Sequence, residues 1–260
     1  MKYNEMFDRN IGVFAKEEQQ KLKTLKVAII GCGGMGGVTA QIVVRTGIEN
    51  ITVADPDIFN VVNINNQFNA FLSTMGKNKA AVVASTIKDI NPSSKVEVYE
   101  EGLTQENVGN LVEKVDIIFD CVDYNELYYS YILNKEARSK SKFTLAPQAI
   151  GYGCSVLIFD PSGVSFNEYL GLEDGMTKEQ VDAVRIAQTK YAPITTSYID
   201  PYLAQKVIGK EIPIPNIALA QTLAASIMVS EAIFILLKKR KPICVPEIIA
   251  IDLLDKKYLA

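Results

Sequence analysis

The chain has 260 residues, of which 48% are hydrophobic and 22% charged, a composition typical of a soluble globular protein with a substantial core. Its net charge of −3 argues against a nucleic-acid partner held by a basic surface. It contains no histidine, which excludes mechanisms that use an imidazole base, proton shuttle or metal ligand.

The cysteines and the start of the chain bear on its cellular compartment. The four cysteines are widely separated and form no Cys-x-x-Cys pair, so we expect neither a disulfide framework nor zinc. Residues 1–9 are polar and lack an apolar segment, so we expect no cleavable signal there. Together these features predict a cytoplasmic protein.

The first predicted elements form a nucleotide-binding unit. Val27–Ile30 is a short apolar run with β-branched residues, which predicts a buried strand. The glycine-rich turn Gly31–Gly36 follows, and Gly37–Thr46 has a helical pattern. A strand, a glycine turn and a helix in this order are typical of nucleotide-binding proteins, although they do not distinguish among NAD, FAD and ATP.

Individual residues of this unit have separate expected roles. A second predicted strand, Ile51–Ala54, is followed by Asp55, whose separation from the glycines suits a carboxylate that binds ribose hydroxyls. The helix after the turn offers unpaired N–H groups to an anion. The glycines are expected to permit a tight turn at Gly31, phosphate approach at Gly33 and Gly34, and close helix packing at Gly36.

The pattern of alternating strands and helices continues to about residue 150. It predicts a doubly wound, mainly parallel α/β sheet of the Rossmann type. Several aspartates fall just beyond strand ends, where such sheets bind ligands, and Asp57 is either a ligand or a turn residue. The further predicted strands are Val96–Tyr99, Asp116–Phe119 and Phe143–Ala146. One predicted helix begins within residues 75–79 and ends near Ile90, and two others span Glu106–Val112 and Asn125–Ser139.

The pattern changes after Gly151. Ser155–Phe159 is expected to add an antiparallel strand, and Ile248–Ile251 to close the chain as another. The remaining elements are a helix at Thr177–Gln188, an irregular region at Tyr191–Ile214 and an apolar helix at Ile217–Leu237 capped by Asn216. We expect one domain over 1–260, with a nucleotide-binding core at 1–150 and the antiparallel extension, irregular region and long helix at 151–260.

The apolar helix Ile217–Leu237 is long enough to span a membrane. Polar residues interrupt it, however, among them Gln221, Ser226, Ser230 and Glu231, and a further strand follows it. We therefore expect a buried helix that covers the sheet or a subunit interface, and no membrane partner.

The loop between Asp55 and Lys79, taken with Arg9 and Asp123, resembles the ThiF/MoeB/HesA family of adenylyltransferases, which are related to ubiquitin-activating enzymes. The likeness covers roughly Phe7–Pro161 well and Asn216–Asp252 more loosely. It implies ribose binding by Asp55, phosphate binding by Lys79 and Mg²⁺ binding by Asp123. It also matches the family's loop asparagine and glutamine to Asn63 and Gln67, and its N-terminal arginine, which reaches a dimer partner's site, to Arg9.

The chain departs from this family at two points. Asn66 stands where the family has an arginine that helps neutralise phosphate charge, which leaves open weaker ATP binding, compensation by Lys77 or lost catalysis. Downstream of the sheet only Cys154 and Cys244 are present, and neither has an evident activating neighbour. We therefore expect turnover without a cysteine nucleophile.

The resemblance implies an enzyme that uses ATP and Mg²⁺ to adenylate a carboxylate and release pyrophosphate. The expected acceptor is a small ubiquitin-like protein or a peptide, and the expected assembly is a homodimer. Two alternatives stay open at this point: a binding or scaffold protein of the same fold, and a dinucleotide-dependent oxidoreductase. Asn63 could equally fix its own loop, and Gln67 could serve only loop structure.

Overall fold

The structure, a computed structural model, describes residues 2–259 and contains one eight-stranded sheet. Buried apolar runs form the central strands, whereas the short last strand is exposed. The strands are β1 (Lys26–Ile30), β2 (Asn50–Ala54), β3 (Lys95–Tyr99), β4 (Ile117–Asp120), β5 (Phe143–Ile150), β6 (Gly153–Phe159), β7 (Ile249–Asp252) and β8 (Lys257–Leu259).

The strand order is β3-β2-β1-β4-β5-β6-β7-β8. Neighbours from β3 to β5 run parallel, and those from β5 to β8 run antiparallel. The register pairs Ile30 of β1 with Ala54 and Asp120, so the carboxyl ends of three adjacent strands meet at one edge. The predicted α/β class with an antiparallel extension is confirmed.

The sheet carries helices on both faces. They are α1 (Tyr3–Met6), α2 (Lys16–Thr24), α3 (Gly34–Arg45), α4 (Lys79–Ile90), α5 (Val108–Glu113), α6 (Leu127–Ser139), α7 (Phe166–Leu170), α8 (Lys178–Ala183), α9 (Pro201–Ile208) and α10 (Ala218–Leu236). One apolar cluster joins α2, α3, α4 and α10 to the sheet, and another joins α5 and α6 to its opposite face.

Helix α10 is the element that joins the two halves of the chain. It is long and apolar enough to cross a membrane by length and composition alone, but half of that apolar window is buried inside the protein. It packs on α3, β5 and β6, and Met228, Val229 and Ala232 lie in the main apolar cluster. These contacts are those of a core helix that covers the sheet.

The C-terminal half differs from expectation in its helices. Helix α8 ends at Ala183 rather than Gln188, because the Arg185 guanidinium binds the Ala183 carbonyl at 2.8 Å and so satisfies the end of the helix. The region predicted to be irregular contains α9, which starts at Pro201 after Asp200 accepts a 2.8 Å hydrogen bond from the Tyr202 N–H. Proline is favourable at a first helical position, so it begins this helix instead of breaking it.

The strands of the C-terminal half also differ. β5 runs on to Ile150 and β6 starts at Gly153, because Pro147 is accommodated within their antiparallel pair opposite Val156. The chain does not close at β7, since the short β8 pairs with it. Asn216 does not cap the long helix: Ile217 occupies the cap position without a side-chain hydrogen bond.

Candidate active site

The glycine loop forms a tight turn between β1 and α3. Gly31 has a φ of +91°, a conformation that favours glycine, and its missing Cβ would lie 2.3 Å from the Cys121 carbonyl oxygen. A Cβ on Gly36 would lie 1.8 Å from the Gly31 carbonyl oxygen, so helix and turn touch backbone to backbone. Helix α3 begins at Gly34, and none of the described side chains caps it, which leaves its first N–H groups open to a ligand.

Asp55 is buried at the end of β2 and points into this loop. Its carboxylate accepts hydrogen bonds from the Cys32 N–H at 2.6 Å and the Asp57 N–H at 2.9 Å. Burial raises the pKa of Asp55, whereas these two hydrogen bonds act in the opposite direction. A carboxylate has about four acceptor positions, so ribose hydroxyls can still donate to it.

Lys79 begins α4 and brings a buried ammonium to the same sheet edge. Its Nζ lies 3.0 Å from Asp57 Oδ2, and the two side chains are 9% and 67% exposed, respectively. The Asp57 carbonyl also accepts the Lys79 N–H at 2.8 Å. Asn78 caps α4 through the Ala81 N–H and binds the Asp55 carbonyl at 3.0 Å. The glycine loop, Asp55, Asp57 and Lys79 thus form one connected group.

The asparagine-rich loop reaches the glycine loop through Gln67. The Gln67 side chain lies 3.5 Å from where a Gly33 Cβ would stand, and its Oε1 is buried without a hydrogen-bond partner in residues 2–259. Asn63 Oδ1 accepts the Asn60 N–H at 2.9 Å and so fixes its own loop. Asn66, at the position of the family arginine, donates its side-chain N–H to the side chain of Asn216.

Gln221, in the first turn of α10, also lies on the glycine loop. It is 4% exposed, and its side-chain amide would be 2.7–2.9 Å from a Cβ placed on Gly34. In the sequence, Gln221 is recognised only as a polar residue that argues against a membrane-spanning helix. A glutamine among apolar helical residues is the signal that could have identified it, but its 187-residue separation from Gly34 hides the contact.

Two aspartates follow β4 and have different surroundings. Asp123 is exposed, and its Oδ1 accepts the Asn125 N–H at 2.8 Å, so it caps the short helix Tyr124–Glu126. Asp120 is buried, where Ser130 and Asn134 each donate a 2.9 Å hydrogen bond to it. Burial raises the pKa of Asp120 to about 6.

Arg9 lies away from the glycine loop of its own chain. It is exposed in the short helix Asp8–Asn10, whose Asn10 side chain donates to the Thr46 carbonyl at 3.4 Å. Thr46 follows the last residue of α3, whereas the glycine loop adjoins its first. A 12-residue helix is about 18 Å long, which separates Arg9 from the group around Lys79.

The cysteines lie in surroundings that disfavour thiolates. Burial raises the pKa of Cys154 to about 12 and that of Cys244 to about 11. Cys32 and Cys121 are adjacent to the glycine turn, and burial raises the pKa of each well above its ordinary value. Each of these pKa directions disfavours a thiolate near neutral pH, and turnover without a cysteine stays a prediction.

Comparison with known proteins places this arrangement in a family. A model of the ThiF family matches residues 7–259. The chain belongs to the ThiF family. The adenylyltransferase and sulfurtransferase UBA4 of Lodderomyces elongisporus is 34% identical over 111 residues, covering 43% of this chain and 24% of the relative. The tRNA threonylcarbamoyladenosine dehydratase of Bacillus subtilis is 33% identical over 131 residues, covering 50% of this chain and 51% of the relative.

Solved structures show the same ThiF-family fold. Escherichia coli MccB, solved with ATP, has a TM-score of 0.68 at 19% identity, covering 93% of this chain and 64% of the MccB chain. At this level of identity the match shows the fold alone. The chain spans about half the length, or less, of the two curated relatives named above.

Proposed function

We propose that this ThiF-family chain is an ATP-dependent adenylyltransferase that activates a carboxylate. The observation that carries the proposal is the buried Lys79 ammonium, held at the same sheet edge as the glycine loop and Asp55. Dinucleotide-binding folds hold the pyrophosphate with the glycine loop and the helix N-terminus, and the ribose with the acid, so the buried ammonium is not part of that pattern. The polyphosphate of ATP is longer and more highly charged than the pyrophosphate of a dinucleotide, which favours an additional ammonium.

The proposed reaction makes an acyl-adenylate. A carboxylate oxygen of the substrate attacks the α-phosphorus of ATP, and the bond from that phosphorus to the bridging oxygen breaks and releases pyrophosphate. Catalysis of this kind rests on positioning and charge neutralisation, and it needs no histidine. In this proposal the backbone at Gly31, Gly33, Gly34 and Gly36 lies along the phosphates, Asp55 binds ribose and Lys79 neutralises phosphate charge. Asp57 orients Lys79, while Asn63 and Gln67 line the site from the asparagine-rich loop.

Asp123 is the proposed Mg²⁺ ligand. The described residues contain no cluster of three or more acidic or thiol ligands. Mg²⁺ with a nucleotide commonly uses only one or two carboxylates together with the phosphates and water. Asp123 fits that role, because it is exposed and one of its oxygens already has a fixed hydrogen-bond partner. The ion would neutralise charge on the phosphates.

We further propose a homodimer in which Arg9 serves the site of the partner subunit. Its position at the far end of α3 supports this assignment, since it is remote from Lys79 within one chain. The proposed acceptor is a small ubiquitin-like protein or a peptide. Turnover is proposed to need no cysteine of this chain and no zinc.

The remaining proposals concern organisation and environment. Residues 1–260 are proposed to act as a single ThiF-type domain in the cytoplasm, with a core at 1–150 and an extension at 151–260 that brings α10 to the site. We propose no membrane partner and no nucleic-acid partner. Although the Bacillus subtilis relative is named for a modified tRNA nucleoside, this chain's net charge of −3 favours other substrates.

Nucleotide preference tests the proposal directly. Calorimetric titration with Mg-ATP, NAD and FAD should give the tightest binding for Mg-ATP. A dissociation constant for NAD below that for Mg-ATP would contradict the adenylation proposal and favour the oxidoreductase alternative. Tight Mg-ATP binding without any turnover would instead favour a scaffold protein, the alternative suggested by Asn66.

A further inference from the structure

Gln221 places a polar side chain in a buried position beside the glycine loop. The side chain is 4% exposed and touches Gly34, the first residue of α3. Any larger residue at position 34 would meet the amide, because the Cδ, Oε1 and Nε2 atoms all lie within 2.9 Å of the missing Cβ. Glycine at this position therefore makes room for an amide from the opposite end of the chain.

The amide is also incompletely satisfied. Gln221 Oε1 is buried with no hydrogen-bond partner among the described residues. Leaving a buried polar group without a partner is destabilising, so such groups are rare in native proteins and usually have a functional explanation. The first N–H groups of α3 likewise lack intrahelical partners, and no side chain in the described part of the chain caps them. Two unsatisfied features thus lie side by side at one helix N-terminus.

The position of Gln221 is held by a specific set of contacts. Asn65 donates to the Asn216 carbonyl at 3.2 Å, and Asn66 donates to the Asn216 side chain. These bonds fix the start of α10 to the asparagine-rich loop, which also places Gln67 beside Gly33. Amides from two remote segments therefore lie on consecutive glycines of one loop.

We propose that Gln221 is a positioning residue for the phosphate of the bound nucleotide. A carboxamide rotated about its Cγ–Cδ bond can direct Nε2–H toward a phosphate oxygen and Oε1 toward the open N–H groups of α3. The ligand class is a nucleoside phosphate, and the group recognised is the phosphate nearest the nucleoside. This inference deepens the proposed function and rests on its nucleotide site, but not on the adenylation step.

The test compares AMP with adenosine, because the two ligands differ only in the phosphate. Gln221→Met keeps the approximate length of the side chain but removes both polar atoms, and Gln221→Glu keeps the shape but adds a negative charge. Calorimetry should show AMP binding weakened roughly tenfold or more by Gln221→Met, and further by Gln221→Glu, with adenosine binding changed less than about twofold. Ser230→Ala removes an exposed hydroxyl from the same helix and should change neither affinity.

The outcomes separate this inference from the proposed function. Equal weakening of AMP and adenosine binding, or no weakening in either Gln221 variant, would show that Gln221 only packs and would overturn the inference. If circular dichroism shows that Gln221→Met does not fold, the isosteric Gln221→Glu alone decides, by the weakening of AMP binding relative to that of adenosine binding. Wild-type protein that binds neither ligand also overturns the inference. The Gln221 variants could lose AMP binding selectively while the wild-type protein fails to exchange pyrophosphate with ATP. That combination would support the inference and contradict only the adenylation step.

Discussion

At the scale of single residues, the Lys79–Asp57 pair determines the charge of the candidate site. The ammonium is almost fully buried, whereas its carboxylate partner faces solvent at the sheet edge. Removing an ammonium from water is costly unless an anion compensates for its charge. The bond to the Asp57 carboxylate uses one of the three N–H donors of Lys79 and leaves two available. Lys79 is therefore poised to share its charge between Asp57 and a bound phosphate.

Replacing Lys79 should weaken Mg-ATP binding strongly. Loss of a charge-assisted phosphate contact is expected to raise the dissociation constant of Lys79→Ala about tenfold or more, as measured by calorimetry. Lys95→Ala makes the same charge change at an exposed residue that begins β3, remote from the carboxyl edge, and should bind as the wild type does. Equal affinities for Lys79→Ala and Lys95→Ala, with folding verified, would remove Lys79 from the site.

Asp120 should make stability depend on pH. Its folded pKa of about 6 lies above that of an unfolded aspartate, so the folded protein binds more protons between about pH 4 and pH 6. The stability contributed by this carboxyl is full at low pH and falls as the pH rises through about 6. In urea titrations, the unfolding free energy of the wild type minus that of Asp120→Asn should decrease between about pH 4.5 and pH 7. A constant or increasing difference would refute this assignment.

Residue roles could be predicted only where a local rule applies. The spacing after the glycines predicts that Asp55 binds ribose, and the structure places its carboxylate in the glycine loop, whereas ribose binding stays a prediction. The sequence predicts that Asn216 caps α10, but in the structure its side-chain oxygen accepts a hydrogen bond from Asn66, 150 residues away in the chain. Gln221 was not identified, because only the fold brings it to Gly34. Contacts between distant segments leave no spacing signal in one sequence.

At the scale of elements, the glycine turn of the candidate site also determines how closely α3 packs against β1. Gly36 lets the first turn of α3 lie against the Gly31 carbonyl, which brings the start of α3 close to the end of β1. A side chain at this position would have to displace backbone rather than a flexible neighbour. The geometry of the N–H groups at the start of α3 therefore depends on the absence of one methyl group.

Two glycine-to-alanine substitutions test this packing. Gly36→Ala would place a Cβ 1.8 Å from a carbonyl oxygen and should lower the unfolding free energy by roughly 1–3 kcal/mol. In Gly109→Ala, in α5, the nearest atom to the new Cβ is Glu136 Oε1 at 3.5 Å. This substitution should raise the unfolding free energy by about 0.5–1 kcal/mol, because alanine has the higher helix propensity. Urea titrations measure both, and a stabilised Gly36→Ala would contradict the close approach.

Elements of the first half were predictable because local patterns and tertiary packing agree there. Apolar runs became buried strands, and the start of α4 lies within the predicted range of 75–79. In the second half the local signals conflicted. Pro147 lies inside β5 and Pro201 begins α9, so residues that usually interrupt structure are accommodated within it.

At the scale of the whole molecule, the second half of the chain returns to complete the first. Helix α10 packs along α3 and brings Gln221 to the glycine loop, so the candidate site is built from both ends of the sequence. The sheet class followed from the alternation of strands and helices. The return of α10 to α3 could not be predicted, because an apolar helix fits any buried surface equally well.

The assembly prediction belongs to this scale. Light scattering should give twice the 28.7 kDa chain mass, and the chain mass alone would contradict the dimer. If Arg9 acts across the interface, a mixed dimer of Arg9→Ala and Lys79→Ala subunits has one intact site. Equal mixing with random exchange should then restore about a quarter of wild-type activity. No recovery after verified subunit exchange would place Arg9 outside the partner's site.

Pyrophosphate exchange tests the central claim most directly. Wild-type protein with Mg²⁺, ATP and labelled pyrophosphate should incorporate label into ATP when a suitable carboxylate is added, such as a small ubiquitin-like protein ending in Gly-Gly. Lys79→Ala should abolish most of this exchange, whereas Lys95→Ala should retain it. Exchange that never exceeds the Lys79→Ala background across candidate proteins and peptides, in a folded protein that binds Mg-ATP, would contradict carboxylate adenylation.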